Sequence, residues 1–166
     1  MANQITEANV EVRIDAATPA DVPVILSFIR ELAEYEKLAD RCVATEAGLR
    51  EHLFGPRPAA EVLIARVGST PVGFALYFGT FSTFLAKPGI YLEDLYVRPE
   101  ARRRGVGLAL FEAVGERCEA RGISYVEAQV EEDGAEAFYA ALGYEREAEV
   151  RVLSKSLVIA DRPEKS

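Results

Sequence analysis

The stretch RPEARRRGVG concentrates positive charge and glycine at one point of a chain that is acidic overall. Arg102, Arg103 and Arg104 come directly before the start of an amphipathic helix. Cations are unfavourable at a helix start unless an anion lies there, because the free N–H groups already carry positive partial charge. Gly105 and Gly107 have no Cβ and would let the backbone approach such an anion closely. The stretch therefore predicts a phosphate-binding turn; a solvated basic turn with glycines that serve only packing is the alternative.

Two adjacent carboxylates, Glu93 and Asp94, interrupt the apolar stretch IYLEDLYV that comes before this turn. Successive side chains of a strand point to opposite faces, so we expect only one of the two to face a cleft. There it could accept a proton or bind a cation, whereas a solvated or ion-paired strand end is the alternative. A histidine base is not expected, because His52, the only histidine, lies on a predicted helix far from the turn and is expected at the surface.

The composition limits the classes of function. The chain has 166 residues and a net charge of −8 at pH 7, which fits one globular domain and argues against general nucleic-acid binding. No apolar run approaches the ~20 residues that a membrane-spanning helix requires. The N-terminus lacks the basic and apolar regions of a signal peptide, and Cys42 and Cys118 are too few for a disulfide framework. We therefore expect a cytoplasmic protein with reduced, buried thiols and with no metal, membrane or nucleic-acid partner.

Hydrophobic periodicity predicts the order β-α-α-β-β-β-α-β-α-β, a mixed α/β domain over residues 10–160 with flexible termini at 1–9 and 161–166. The predicted strands are 10–15, 61–67, 71–80, 90–97, 123–130 and 150–157, and the predicted helices are 20–38, 45–53, 105–122 and 134–143. Residues 68–70 are expected to close a hairpin and residues 81–89 to form a loop. The expected apolar positions of the third helix are Leu108, Leu110, Phe111, Val114 and Cys118. These elements place the carboxylates on one strand and the basic turn between that strand and a helix.

Two motifs together resemble the GNAT acyltransferase superfamily. R-x-x-G-x-G, which follows YLEDLYVRPEA and opens an amphipathic helix, resembles the acetyl-CoA-binding motif of that superfamily, and AFYAALGYE resembles its last helix and the strand after it. The resemblance implies the GNAT fold, a single α/β domain in which helices flank a central mixed, mostly antiparallel sheet. It also implies that the anion at the basic turn is the pyrophosphate of acetyl-CoA. The stretches FIRELAEYEKLAD, STF and IYLEDLYV narrow the resemblance to the branch of diamine (spermidine/spermine-type) and thialysine acetyltransferases.

The resemblance implies two catalytic residues. Acetylation requires a neutral amine, yet an alkylamine with a pKa of about 10.4 is mostly protonated at pH 7, so a base is required. In the family the glutamate of the L-E-D stretch is that base, which assigns the role to Glu93, with Asp94 helping to hold the substrate cation. The family tyrosine that protonates the coenzyme A sulfur corresponds to Tyr139, for which core packing is the alternative; Phe138 is assigned to the core.

The resemblance also implies the binding residues. Tyr35 and Glu36 match a Tyr-Glu pair that contacts substrate, with a solvated helix end as the alternative, and Ser82 and Phe84 lie in a loop expected to contact substrate. The residues expected to bind acetyl-CoA are Leu95, Tyr96, Val97, Arg102, Arg103, Arg104, Gly105, Val106, Gly107 and Leu108. No covalent acyl-enzyme is expected, because neither cysteine has base-rich surroundings.

The implied function is transfer of the acetyl group of acetyl-CoA to a primary amine of a small molecule. The acceptor would be a diamine, a polyamine or a thialysine/lysine-like amine, attacked directly in a ternary complex by a cytoplasmic homodimer. The sequence departs from the family at three places. Arg103 stands where the turn often has glycine, and Glu131-Glu132 stands where the branch has Trp-Asn. Ser82-Thr83-Phe84 stands where the polyamine enzymes have Asp and Trp. The alternatives are a non-catalytic acyl-CoA-binding sensor and an acetyltransferase that acts on protein lysines or N-termini.

Overall fold

The computed structural model describes residues 11–130, 133–147 and Leu153. The chain falls into two compact units, of which the first extends to Glu127 and the second begins at Ala128. Apart from Ala128, the last residue of its last strand, the sheet belongs to the first unit, as does the basic turn, whereas the helix that carries the predicted catalytic tyrosine belongs to the second.

Strands and helices follow one another in the order β-α-α-β-β-β-α-β-α. The strands are β1 (Val12–Ala16), β2 (Glu61–Val67), β3 (Thr70–Ser82), β4 (Lys87–Val97) and β5 (Val126–Ala128), and the helices are α1 (Val22–Tyr35), α2 (Glu46–Phe54), α3 (Val106–Ala120) and α4 (Asp133–Ala141). The strands form one sheet in the order β1-β2-β3-β4-β5, and the pairs β1/β2, β2/β3 and β3/β4 are antiparallel. The predicted order is confirmed as far as α4. The expected termini, 1–9 and 161–166, and the last predicted strand, apart from Leu153, lie outside the described residues.

Helix α1 packs on one face of the sheet through a stripe of buried residues. Ile25 and Phe28 are completely buried, and the ring of Phe28 stacks on Phe74 of β3 with centroids 5.4 Å apart. Leu53 of α2 and Tyr96 of β4 belong to the same cluster. Burying an apolar side chain of this size contributes about 1.5–3 kcal/mol, so this cluster holds α1 firmly against β3 and β4.

The first helix is shorter than the predicted range 20–38. It begins at Val22, after a single 3-10 turn, and ends at Tyr35, because Lys37 adopts a left-handed backbone with φ of 59° that stops the helix. Glu36 is the residue that follows the last helical turn. The end of α1 therefore presents Tyr35, which is 54% exposed, and Glu36 side by side.

Helix α3 covers the opposite face of the sheet. Its buried residues recur every four positions at Val106, Leu110, Val114 and Cys118. Leu108, one of the apolar positions expected from the periodicity, is 42% exposed and does not share this buried stripe. Two residues after Val106, it lies about 200° around the helix from that position and points away from the sheet.

The hairpin between β3 and β4 corrects the predicted loop at 81–89. Ser82 pairs with Lys87, so both strands continue into this segment and only residues 83–86 form the turn. The Ser82 Oγ accepts a hydrogen bond from the Leu85 N–H at 3.2 Å, which closes the turn locally. Backbone pairing, to which the irregular side-chain pattern gives no clue, extends the two strands here.

Candidate active site

Strand β4 has a β-bulge at Glu93. Asp94 pairs with Leu76, but Leu92 pairs with the next residue of β3, Tyr77, so Glu93 has no partner on β3. Because Leu76 packs against the α1 cluster, Asp94 lies on the α1 face, whereas the bulge leaves Leu92 on the α3 face. Glu93 is exposed and Asp94 is partly buried. The regular alternation expected for this strand is therefore interrupted at the two carboxylates.

The surroundings of Asp94 disfavour its charged form. Burial, and then the negative charges of Glu93 and Glu36, raise the pKa of Asp94 from 3.8 to about 7. The end of α1 and the bulge of β4 thus bring two carboxylates close enough to influence Asp94, and we call Glu36, Glu93 and Asp94 the carboxylate group. Within the described ranges, no side chain forms an ion pair or a hydrogen bond with Asp94. Its carboxyl changes protonation state near neutral pH.

The basic turn, residues 102–107, is shaped by two left-handed residues, Arg103 with φ of 60° and Gly105 with φ of 76°. Among the described residues, a Cβ at Gly105 would meet no atom within 4 Å, so glycine serves the backbone conformation rather than space. The first hydrogen bond of α3 runs from the Ala109 N–H to the Gly105 carbonyl at 2.9 Å. The N–H groups without a helical acceptor are those of Val106, Gly107 and Leu108. Such a turn in front of a helix is suited to bind an anion.

Arg102 differs from the two arginines that follow it. Its Nε donates a hydrogen bond to the Val97 carbonyl at 2.8 Å. Its guanidinium lies over the rings of Tyr35 and Tyr96, at 5.0 and 5.7 Å from their centroids. The other two arginine side chains are exposed and form no ion pair with the described part of the chain. Arg102 therefore connects the basic turn to the end of α1, a contact that the sequence did not predict.

A second connection between α1 and the end of β4 is the ion pair of Arg98 with Glu31. The Arg98 Nη2 lies 2.9 Å from the Glu31 Oε1, and the hydroxyl of Tyr96 donates to the Glu31 Oε2 at 3.2 Å. The guanidinium of Arg98 also lies 4.7 Å from the ring centroid of Phe28. Burial raises the pKa of Glu31, but hydrogen bonds from Arg98 and Ser27 outweigh it and hold that pKa below its usual value. This network connects the end of β4, from which the chain leads into the basic turn, to α1.

The hairpin residues Ser82 and Phe84 are not brought together with the carboxylate group within this chain. Phe84 is fully exposed in the turn between β3 and β4. At about 3.3 Å per residue, the strand from Lys87 to Asp94 separates this turn from the bulge by roughly 20 Å.

Tyr139 lies on α4, in the second unit. Its ring meets the rings of Phe138 and Tyr144 edge-on, with centroids 5.5 and 5.1 Å apart. Both Tyr139 and Phe138 are half-buried, so the assignment of Phe138 to a core is only partly met. Helix α4 ends before Gly143, whose φ is 88°. The departure at Glu131-Glu132 lies outside the described residues.

Other candidate reactive groups were also located. His52 is exposed, as expected. Both cysteines are free; Cys118 is buried, but Cys42 is only half-buried, contrary to expectation. Burial raises the pKa of the Cys118 thiol, which disfavours the nucleophilic thiolate. The described residues contain no group of three or more metal-ligating side chains and no helix long and apolar enough to cross a membrane.

Comparison with known proteins places these features in a family context. A family model described as "Acetyltransferase (GNAT) family" matches residues 29–144, which extend over both units. A thialysine N-epsilon-acetyltransferase of Bos taurus is 39% identical over 142 residues, which cover 80% of this chain and 83% of the relative. An L-ornithine N5-acetyltransferase of Arabidopsis thaliana is 31% identical over 160 residues, which cover 69% of this chain and 70% of the relative.

Solved structures agree at the level of the fold. The crystal structure of an aminoglycoside acetyltransferase from an uncultured soil metagenomic sample aligns with a TM-score of 0.74 at 22% identity, covering 88% of this chain and 96% of that one. Identity this low shows a common fold and nothing about the acceptor. The predicted GNAT fold, a single-domain α/β fold with a mostly antiparallel five-stranded sheet and flanking helices, is confirmed.

Proposed function

Because the chain belongs to the acetyltransferase (GNAT) family and is an acetyl-CoA-dependent N-acetyltransferase, we propose that it acetylates the primary amine of a small diamine, polyamine or thialysine/lysine-like molecule. The observation that carries this proposal is the carboxylate group at the end of α1. Its negative charge favours a cationic acceptor, and within the described ranges no basic side chain neutralises Asp94. The relatives named for thialysine and L-ornithine support the same class of acceptor.

Acetyl-CoA is expected to bind along β4 and the basic turn. The free N–H groups at the start of α3 and the exposed guanidiniums of Arg103 and Arg104 would hold the pyrophosphate. The backbone of residues 95–97 would pair with the pantetheine arm, as an added strand does. Arg102 would contribute through its contacts with Val97 and Tyr35, which orient the turn, rather than through a direct contact with the pyrophosphate.

In the proposed reaction the substrate ammonium first loses a proton to the carboxylate group. The neutral nitrogen attacks the acetyl carbon, so that a C–N bond forms and the C–S bond breaks. Tyr139 donates its phenolic proton to the departing sulfur and recovers one from the acylated nitrogen, so that one proton in total is released to solvent. The acetyl group is proposed to pass directly to the amine, because burial makes Cys118 a poor nucleophile and the sequence around Cys42 is not rich in bases that could activate its thiol.

The enzyme is proposed to act in the cytoplasm as a homodimer, without a nucleic-acid or membrane partner. The support is the family resemblance and the acidic composition, with a net charge of −8. Sedimentation equilibrium tests the oligomeric state: a mass of two chains is expected, and the mass of a single chain at micromolar concentration would contradict the proposal.

The test of the acceptor class follows free thiol release from acetyl-CoA with a panel of amines. The panel contains thialysine, lysine, ornithine, putrescine, spermidine, an aminoglycoside and a lysine peptide. Release with one or more of the small amines, strongly reduced in Tyr139→Phe, is the expected result. Release with the peptide alone would identify a protein acetyltransferase instead. Acetyl-CoA binding by calorimetry without release for any amine would identify a sensor, and either result contradicts the proposal.

A further inference from the structure

The bulge in β4 gives two adjacent carboxylates different surroundings. Glu93 is exposed and has no partner on β3, whereas Asp94 lies partly buried on the α1 face. The family resemblance assigns proton abstraction to the first of them. We propose that Asp94, rather than Glu93, accepts the proton from the substrate amine. This inference rests on the proposed function and specifies the base of that same site.

The position of Asp94 in the sheet favours it as the base. It lies on the face that α1 covers, two residues before Tyr96, and it interacts with Glu36 at the end of that helix. A substrate amine held by Tyr35 and Glu36 would therefore meet Asp94 on the side of the sheet where those residues lie. Glu93, as the extra residue of the bulge, is directed by a distorted backbone and exposed to water. Water competes with it for the substrate cation.

The charges around Asp94 also favour it as the base. Among the described residues, the titratable and charged groups on the α1 face and beside it come from α1 and from the end of β4: Glu31, Tyr35, Glu36, Glu93, Tyr96, Arg98 and Arg102. The two cations of this set are held by other partners than Asp94: Arg98 pairs with Glu31, and Arg102 is held by the Val97 carbonyl and two rings. The carboxylates nearby repel one another, so a cationic amine is the counter-charge that this place favours.

The proton affinity that results suits a base. Burial and like charge raise the pKa of Asp94 to about 7, which is closer to the ~10.4 of an alkylammonium than the ~3.9 of an ordinary aspartate. A base whose pKa lies near the working pH combines a useful deprotonated fraction with the strongest affinity for the proton. In the step itself, an N–H bond of the ammonium breaks and an O–H bond forms at Asp94. The nitrogen lone pair then forms the C–N bond, and Asp94 afterwards returns its proton to solvent.

The experiment measures the pH dependence of kcat/KM for the best amine of the panel in wild type, Asp94→Asn, Glu93→Gln and Glu36→Gln. In wild type, kcat/KM is expected to rise with pH through a midpoint near 7. Asp94→Asn is expected to lose this rise and to lower kcat by about 100-fold or more. Glu93→Gln and Glu36→Gln are expected to keep the rise but to move its midpoint to lower pH, because each removes a like charge that raises the pKa of Asp94. Glu119→Gln, an exposed carboxylate near the end of α3, is the matched control without a shift.

Two outcomes would overturn the inference. One is loss of the rise in Glu93→Gln with its retention in Asp94→Asn. The other is a carboxyl resonance of Asp94, assigned by ¹³C NMR in the ligand-free wild type, that titrates near the ordinary value of about 4. The NMR titration is made on the wild type, so it tests the inference even if Asp94→Asn does not fold. A titration midpoint of Asp94 near 7 in the wild type, and a lower midpoint in Glu36→Gln, support the inference. If the wild type releases no thiol with any small amine, the proposed function is refuted and this inference with it. If the wild type is active and Asp94→Asn keeps the same pH dependence of kcat/KM, only the inference is refuted.

Discussion

The basic turn and the carboxylate group are suited to opposite charges and are built by different means. The basic turn is exposed and relies on backbone N–H groups, two left-handed residues and a helix start. The carboxylate group relies on side chains that repel one another, and one of them is partly buried. Exposed charges are screened by salt, whereas a desolvated carboxyl responds to pH. Co-substrate binding should therefore depend mainly on backbone conformation and ionic strength, and amine activation mainly on pH.

The two regions are connected at the end of α1. Arg102 stacks on Tyr35 beside the carboxylate group. Arg98, the first residue after β4, forms an ion pair with Glu31 of α1. Arg102 is the first residue of the basic turn, and Arg98 lies in the segment that leads into it. The relative position of the two regions therefore depends on these two contacts with α1.

Breaking the ion pair between Arg98 and Glu31 is expected to have the largest effect on stability. Glu31→Gln leaves a partly buried guanidinium without its counter-charge and should lower the free energy of unfolding by about 2–3 kcal/mol. Because the folded state lowers the pKa of Glu31, its contribution is complete above the ordinary value of 4.5 and is lost as the pH falls through the lowered pKa. Urea unfolding at pH 7 and at acidic pH measures both effects, with the exposed Glu112→Gln as control. A wild-type advantage that grows on acidification would contradict this account.

A change in the backbone conformation of the basic turn should weaken the binding of acetyl-CoA and leave the carboxylate group intact. Gly105→Ala places a Cβ on a residue with φ of 76°, a conformation that costs an L-residue about 1–2 kcal/mol, so the Kd of acetyl-CoA should rise by roughly 10-fold. The matched control is Gly115→Ala in α3, where a Cβ meets no described atom within 4 Å and should stabilise the helix by about 0.5–1 kcal/mol. Calorimetry measures the Kd of acetyl-CoA for the two variants, and thermal unfolding measures their stability. Equal acetyl-CoA affinity in both would show that the conformation of Gly105 is not required.

Arg102→Lys tests the connection between the two regions. The substitution keeps the charge but removes the planar group that lies over Tyr35 and Tyr96. We expect the KM for the amine to rise about 3–10-fold, which corresponds to the ~1 kcal/mol of a cation–π contact, and the Kd of acetyl-CoA to change less than twofold. The reverse pattern would mean that Arg102 acts on the pyrophosphate with its two neighbours.

The smallest effect is expected at the hairpin turn. Phe84→Ser alters a fully exposed side chain and should change the free energy of unfolding by no more than about 0.5 kcal/mol, with the KM for the amine unchanged. Steady-state kinetics measure the KM for the amine in Phe84→Ser and, in parallel, in Tyr35→Phe at the end of α1. A tenfold rise in KM for Phe84→Ser would show that the hairpin of a second chain reaches the substrate.

The sequence predicted the parts of the site that are local and missed those that depend on distant pairing. The basic turn was predictable because its arginines, glycines and helix start occupy consecutive positions, although the left-handed conformation of Arg103 was not. The environment of Asp94 follows from the register of β3 against β4, which no single segment encodes. The stacking of Arg102 on Tyr35 joins residues far apart in the chain. The ion pair between Glu31 of α1 and Arg98 after β4 was not predicted, because such a pair leaves no periodic pattern in the sequence.

Initial rates, measured while acetyl-CoA and thialysine are varied against each other, distinguish direct transfer in a ternary complex from transfer through a covalent acyl-enzyme. Direct transfer in a ternary complex predicts double-reciprocal lines that intersect, together with a product that carries its acetyl group on the terminal amine by NMR. Parallel lines would indicate a covalent acyl-enzyme, and a product acetylated elsewhere, or no acetylated amine at all, would contradict the assignment of the acceptor.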